Sequence, residues 1–321
     1  MVVVLHVPQL QILPMEWRVY GLQITWMIMR SLLLGACGVA IAIGWHTART
    51  QIFAIIMIGG VGFMAFVGME HYLLTPIHGS LTHDVRANGI IKQTSDSSCA
   101  PAALATVLRQ WGINASEPEV AQLAGTSRMG TSMPQLITAA QKLGMDGLEL
   151  RPSWEAIQKI NRPGILSIWL VDGNRRLPHA VALLGISQNT AIIADPADGK
   201  AYSVDRATLE NVWRHEYVPI FRSEDILLLS QEARHYLAEL GYISPPQSQG
   251  WPQSEPSQSQ RNDLKKALRQ FQQDTPGLKR TGTLEPETIL ALTGPFIKGV
   301  PVLTYEDESD RSVSDYHHIG T

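Results

Sequence analysis

Two apolar runs near the start of the chain, about Tyr20 to Trp45 and Ile52 to Gly68, constrain its fold more than any other feature. Arg30 is the only charge in the first run, and the second has none. From Met1 to Leu74 there are three arginines, two glutamates and no lysine or aspartate. A hydrocarbon core ~30 Å thick takes about 20 apolar residues of helix. The second run reaches that length once its flanks are counted. The first reaches it as a tilted helix with Arg30 near an interface, or as a shorter span starting at Ser31. A secretory signal fits less well, because no early basic region precedes the run and a second run follows closely. Buried core helices are the other alternative. The expected arrangement is a transmembrane hairpin over residues 20–75, with His46 to Gln51 as its tight loop and the bilayer as its partner. An N-terminal arm, residues 1–19, precedes it.

The remaining composition excludes several classes. At 321 residues, two folded units with additions are the natural expectation. A net charge of −3 gives no basic footprint, so nucleic acid is not an expected partner. A hydrophobic content of 45% is too high for a mostly disordered chain. The two cysteines, Cys37 and Cys99, exclude a disulfide scaffold and a four-cysteine zinc site. They lie in segments of opposite character, so no pairing between them is expected. No cofactor or metal is implied.

From about Asp84 to Arg222 the chain reads as an α+β domain. Ala100 to Trp111 predicts a helix, with Leu104, Val107, Leu108 and Trp111 on one stripe, Pro101 in its first turn and Gly112 at its stop. Glu117 to Ala124 and Met133 to Leu143 predict two more, the latter behind Ser132 as N-cap. Gly164 to Val171, Ala180 to Ile186 and Ala191 to Ala194 are short β-rich runs separated by turn residues. Helices first and an antiparallel sheet after define the arrangement.

Cys99 stands just before the first of these helices, after Thr94-Ser95-Asp96-Ser97-Ser98. A lone cysteine is more often a buried, inert side chain. At a helix start, however, unpaired N–H groups and the positive dipole end favour a thiolate. A nucleophile needs a base, and the base an orienting group. His179 opens one strand and Asp195 ends the next. Folding that hairpin about Ser187 or Gln188 sets 179 and 195 nearly opposite, with Cβ atoms about 4.5–5.5 Å apart. Gln93, six residues before Cys99, is otherwise an ordinary polar loop residue. Its side-chain amide and the Cys99 N–H are the two donors an oxyanion requires.

At these residues the chain resembles a known family. Gln93-(five residues)-Cys99-Ala-Pro-Ala-Ala-Leu, followed by Thr106-Val-Leu-Arg-Gln-Trp-Gly, is similar to the active-site segment of the bacteriocin-processing, double-glycine-type cysteine peptidases. Gly130 to Gly144 resembles that family's middle helix, Pro178-His179 to Ile186 its histidine strand, and Ile193-Ala-Asp195-Pro196 its aspartate turn. The resemblance covers about residues 85–222, in the family's order. It implies a papain-like fold in which Cys99 is the nucleophile, His179 the general base and then acid, Asp195 its orienter and Gln93 the oxyanion donor. One departure is Ser98-Cys99-Ala100, where many relatives have Asp-Cys-Gly. No Gly-(four residues)-Gly-Lys-Ser/Thr loop occurs, so the sequence reads as ATP-independent and distinct from the transporter fusions.

Residues 226–294 suggest a helical module. Ile226 to Leu240 is amphipathic, Ser244 to Asn262 is a Ser/Pro/Gln-rich loop, Leu264, Ala267, Leu268 and Phe271 form a stripe, and Pro286 opens a short helix. These segments resemble the peptidoglycan-binding-like three-helix module, which implies peptidoglycan or a protein as partner. A small bundle packed on the peptidase is the equal alternative. Residues 303–321, with five acids and one arginine after Leu303, read as a disordered tail.

The sequence thus reads as a multi-pass membrane protein of bacterial type whose Cys-His-Asp triad cleaves peptide bonds, with Gly-Gly leader sites implied by the resemblance. The rival readings are a non-catalytic leader-peptide-binding adaptor and a Cys/His amidase acting on cell-wall peptides. Arg18, Arg30 and Arg49 make positive-inside counting nearly a tie. The wall-binding-like module therefore decides the side, and the catalytic domain is expected to be extracytoplasmic.

Overall fold

A helix that is apolar all round has no polar face to turn to water, and both apolar runs take that form. The computed structural model describes Arg18 and residues 21–47, 49–172, 175–244 and 258–304. The N-terminal arm apart from Arg18, residues 245–257 of the Ser/Pro/Gln stretch and residues 305–321 of the acidic tail lie outside the described residues; Leu303 and Thr304, expected in that disordered tail, are instead ordered, Leu303 by burial and Thr304 by a bridge to Ile186. Helix α1 (Gly21–Thr47) and helix α2 (Ile52–Leu74) form a hairpin joined through a 3-10 turn at Arg49–Gln51. At 1.5 Å per residue they are ~40 and ~35 Å long, enough to cross a bilayer. Side chains such as Leu32, Phe53, Ile58 and Met64 are exposed along them. Arg30 lies inside a continuous α1 rather than ahead of a span beginning at Ser31. Its partner is Glu70 of α2, and pairing offsets the cost of both charges in an apolar hairpin. Trp26 meets Phe66 with ring centroids 4.9 Å apart.

The body begins with a small ladder, β1 (Asp84–Val85) against β2 (Ile91–Lys92), and three helices, α3 (Cys99–Gln110), α4 (Glu117–Ala124) and α5 (Met133–Lys142). Gly112 and Gly125 take positive φ at or just past the ends of α3 and α4, where a side chain would be strained. Strand β3 (Asp146–Gly147) and helix α6 (Trp154–Ile160) lead into β4 (Gly164–Asp172), β5 (Arg175–Ile186), β6 (Thr190–Asp195) and β7 (Lys200–Asp205). Helix α7 (Arg206–Val212) and strand β8 (Trp213–Phe221) complete the sheet. Its order is β3-β8-β4-β5-β6-β7, antiparallel throughout. The expected α+β arrangement of helices followed by an antiparallel sheet is what forms. Strand β8 was not anticipated, because Arg214, His215 and Glu216 interrupt its apolar pattern. It inserts beside β4, so the sheet is not a simple meander.

Alternation along the strands gives the sheet two buried faces. Ile165, Ala182 and Val218 pack with α3 to α5, around Leu104, Leu108 and Leu136. Leu166, Val181, Ile193 and Tyr217 face the other way, into a core that they share with Trp154 and Ile157 of α6 and with the C-terminal helices. Those are α8 (Ser230–Glu239), α9 (Gln258–Gln273) and α10 (Pro286–Thr293). They bring Leu237, Leu268, Phe271 and Leu290 into the same core as the sheet. Helix α9 starts at Gln258, so residues 258–262 are helical instead of belonging to the Ser/Pro/Gln loop; they extend the turn pattern of Leu264, Leu268 and Phe271 backward.

Asn161, in the left-handed conformation at φ 52°, fastens this second layer. Its Oδ1 accepts from the N–H groups of Leu303 and Thr304, each at 2.8 Å, and its Nδ2 donates to the Gly294 carbonyl at 3.3 Å. Gly294 presses against α6 so closely that a Cβ would fall 1.8 Å from the Lys159 carbonyl oxygen.

Candidate active site

Cys99 is the first residue of α3, and the loop before it is held from within. Ser98 is fully buried; its hydroxyl donates to the Ser95 carbonyl at 2.8 Å and accepts from the Ser95 N–H at 3.1 Å. No side chain therefore caps α3, and the positive end of its dipole is left beside Cys99. Glu117, buried at the start of α4, accepts from the Thr94 N–H at 2.9 Å and from the Thr94 hydroxyl at 3.1 Å. Burial pushes its carboxyl above the ordinary range, against the hydrogen bonds from Ser98 and Thr94. Sequence reasoning missed Glu117, since an acid in a first helical turn usually reads as a solvated dipole partner.

The candidate base and its candidate orienter come from the sheet. His179 Nε2 donates to Asp195 Oδ1 at 2.7 Å. The same oxygen accepts from the Ala197 N–H at 2.8 Å. The expected direct opposition of the two residues is not how they meet. The ladder sets Ala182 against Ala194 and Leu183 against Ile193, then shifts before Gly185 and Ile192. The turn is centred beyond Gln188, where Ser187 N–H donates to the Thr190 carbonyl at 2.8 Å. His179 therefore lies two residues past the position opposite Asp195, a diagonal that an imidazole can span. It sits beyond the last β6 partner of β5, with only Ile168 of β4 beside it in register. The β4–β8 register also shifts between Ser167 and Ile168, and bulges re-aim side chains in this way next to active sites.

The electrostatics bind the three residues together. Burial alone lowers the His179 pKa; the hydrogen bonds to Asp195 and Cys99, and the charges of both, outweigh it and raise the value to about 9. Burial works to raise Asp195, but the His179 hydrogen bond, the Ala197 amide and the imidazolium charge hold it below the ordinary carboxylate range. With Nε2 occupied by Asp195, Nδ1 is the ring atom left for Cys99.

Gln93 is placed differently from expectation. Its Nε2 donates to the Ser95 carbonyl at 3.0 Å, and its Oε1 is buried with no hydrogen-bond partner among the described residues. Its backbone N–H donates to the Pro196 carbonyl at 2.8 Å, tying the cysteine loop to the aspartate turn. The structure thus brings His179 to Asp195 and into one cleft with Cys99, while the Gln93 side-chain amide is turned to the Ser95 carbonyl.

The cleft has a volume of about 310 Å³. Cys99 and His179 share its wall with the loop from Ser127 to Gln135, with Ser167 and Arg214, and with Arg18 and Glu149. Arg18 and Glu149 form a buried ion pair across 131 residues of sequence, and neither has a local pattern that would mark it.

The model of the Peptidase C39 family matches residues 87–225. An uncharacterised protein of Methanothermobacter marburgensis is 35% identical over 136 residues, which are 42% of this chain and 90% of that protein. The pediocin PA-1 transport/processing ATP-binding protein PedD of Pediococcus acidilactici is 25% identical over 152 residues, 46% of this chain and 20% of PedD. Among solved structures, the peptidase domain of Streptococcus ComA, a bi-functional ABC transporter involved in a quorum-sensing pathway, has 24% identity and a TM-score of 0.38, covering 41% of this chain and 96% of that domain. Through the segment that carries Cys99, His179 and Asp195, the chain belongs to the peptidase C39 family.

Proposed function

We propose that the protein is a membrane-anchored cysteine endopeptidase with Cys99, His179 and Asp195 as its triad. The observation that carries this reading is the His179–Asp195 hydrogen bond of 2.7 Å, with the imidazole lining the same cleft as a cysteine at the uncapped start of α3. The Cys99 thiolate attacks the carbonyl carbon of the scissile bond, and the carbonyl electrons move to oxygen. Collapse expels the amine as His179 Nδ1 gives it a proton, leaving a thioester on Cys99. Neutral His179 then takes a proton from water, whose oxygen attacks the thioester. The acid product leaves, and the thiolate–imidazolium pair is restored. Asp195 holds Nε2 throughout and does not itself react.

The Cys99 N–H and the Gln93 side chain are the proposed oxyanion donors. For this role the Gln93 amide exchanges the Ser95 carbonyl for the substrate oxygen. Family membership supports a peptide substrate, with cleavage after Gly-Gly as the specific proposal. Hydrolysis of Gly-Gly-containing peptides by the full chain tests it. Loss of turnover in Cys99→Ala is the expected result, and activity that survives the substitution refutes the reading.

The anchor in this proposal is the α1–α2 hairpin, two apolar helices with exposed outer faces. Residues 226–294 are proposed to serve first as cover for the sheet, with peptidoglycan or protein binding left to whatever surface that packing leaves free. Extracytoplasmic placement of the catalytic body is read by protease treatment of spheroplasts carrying a C-terminal tag. Loss of the tag without lysis supports it, and a protected tag refutes it.

A further inference from the structure

The base of the apolar hairpin and the wall of the cleft are one piece of the molecule. On the entry side, Arg18 stands three residues before α1 and is paired with Glu149, and both side chains line the cleft that holds Cys99. On the exit side, the Arg128 guanidinium lies 4.1 Å over the ring of Tyr72, two residues from the end of α2, and donates to the Tyr72 carbonyl at 3.4 Å. Two residues beyond α2, Pro76 forms a bridge with Ser127, and Ile77 N–H donates to the Thr126 carbonyl at 3.1 Å. Ser127 and Arg128 are themselves cleft residues. The link continues to the nucleophile, since the Arg128 carbonyl accepts from the Ser97 hydroxyl at 2.8 Å, two residues before Cys99. The path from Cys99 through Ser97 and Arg128 to the Tyr72 ring is therefore no longer than roughly 25 Å.

Both legs of the hairpin thus end on the walls of the catalytic cleft. Where the rim meets the hairpin it carries a cation stacked on tyrosine and, next to it, Met129 with its side chain partly exposed, a composition suited to the water–lipid boundary. We propose that the cleft works at the bilayer surface and that its substrates are polypeptides held in the same membrane, cut a few residues from where they leave the lipid. The inference rests on reading α1–α2 as a membrane hairpin and Cys99 as the nucleophile. It also suits the modest size of the cleft: a tether holds the substrate at an effective concentration in the mM range, so little binding surface is required.

The test uses the full chain in vesicles of phosphatidylethanolamine and phosphatidylglycerol. The probes are Gly-Gly chloromethyl ketones, either free or joined to a diacyl lipid anchor through flexible tethers of about 8 or about 20 residues, which span at most ~28 and ~70 Å. The readout is the rate of Cys99 alkylation, followed by mass spectrometry. The short tether is expected to label Cys99 within about threefold of the rate seen with the long one. If the free probe labels Cys99 but only the long tether reaches it from the membrane, the surface cleft is overturned while the peptidase reading stands. If the free probe leaves Cys99 unmodified, the peptidase reading and this inference fall together. A chain that does not float with the vesicles removes the anchor, and the inference with it.

Discussion

His179 and Asp195 are hydrogen-bonded at 2.7 Å although the β5–β6 ladder does not set them opposite each other. The contact is diagonal and lies past the end of the paired region. Their separation is therefore governed by the register shift near Gly185 and by the turn at Ser187–Thr190 as much as by the two side chains. Asp195→Asn keeps the shape but replaces the charge that helps raise His179. We expect a loss of about 10²-fold in kcat, smaller than that of Cys99→Ala. The alkaline limb of the rate profile moves to lower pH as the imidazolium loses its partner. An unmoved limb assigns the titration to another group.

The same pair makes stability depend on pH. His179 has a folded pKa of about 9 against about 6.5 in an unfolded chain. A raised basic group stabilises the fold fully below about pH 6.5, and that contribution is lost as pH rises through about 9. Thermal unfolding of the full chain in detergent should show a midpoint that falls between these limits. The fall should be shallower in His179→Gln, and equal slopes in the two proteins exclude His179 as the cause.

Thiol chemistry separates a peptidase from an adaptor that keeps the fold only to hold leader peptides. At about pH 6–7 a catalytic Cys99 reacts with iodoacetamide at least ~10-fold faster than an ordinary thiol. His179→Ala should remove that excess along with turnover, because nucleophile and base act as one unit. A slow, His179-independent reaction favours the adaptor. Digestion of purified cell-wall material tests the amidase reading by the same Cys99-dependence.

The hairpin, α3, α4 and α5, and the His179–Asp195 neighbourhood were legible because each follows from a local period or a single turn. An amphipathic stripe shows that a helix buries one face and does not show what it buries that face against. Leu268 and Phe271 thus announced a packed helix, but the neighbours that Phe271 meets, Tyr242 and Lys159 of α6, could not be read from spacing. Charges that meet across the fold carry still less signal. Arg18 with Glu149, and Glu117 under Thr94, depend on long-range placement, and each occupies a position where a solvated charge is the common outcome. The Gln93 side chain shows a related limit: motif spacing identifies a residue, whereas its rotamer answers to the Ser95 carbonyl nearby.

Glu117→Ala tests how far the loop before Cys99 depends on its buried acceptor. The Thr94 N–H and hydroxyl would lose a partner in a partly buried setting, which costs about 1–3 kcal/mol. The expected result is a modest loss in urea-unfolding stability with a larger fall in kcat than in 1/KM, since the loop positions the nucleophile. Glu117→Gln keeps one acceptor oxygen and should recover part of the rate. Equal damage by both variants, with kcat unchanged, would make Glu117 a folding residue only.

The second face of the sheet leads to a prediction about boundaries. A chain ending at Arg222 would remove Leu237, Leu268, Phe271 and Leu290 from the core that they share with Trp154 and Ile157 of α6 and with Leu166, Val181, Ile193 and Tyr217 of the sheet. Each large side chain left in water forfeits roughly 1.5–3 kcal/mol, so a few together are comparable to the 5–15 kcal/mol typical of a domain. We expect the 85–222 segment alone to aggregate or to unfold without cooperativity, and a chain extended through Thr304 to fold. Asn161 gives a milder test of the same layer in the full chain. Asn161→Ala removes the acceptor for Leu303 and Thr304 and the donor to Gly294, and it places a Cβ residue less suited to positive φ there. A loss of about 2–4 kcal/mol follows from three hydrogen bonds and the backbone term. Urea unfolding measures it, and Asn161→Gly, which restores only the backbone freedom, should recover the smaller share. A short segment that folds cooperatively, or an Asn161→Ala protein as stable as the parent, would show that the C-terminal helices rest on the sheet without supporting it.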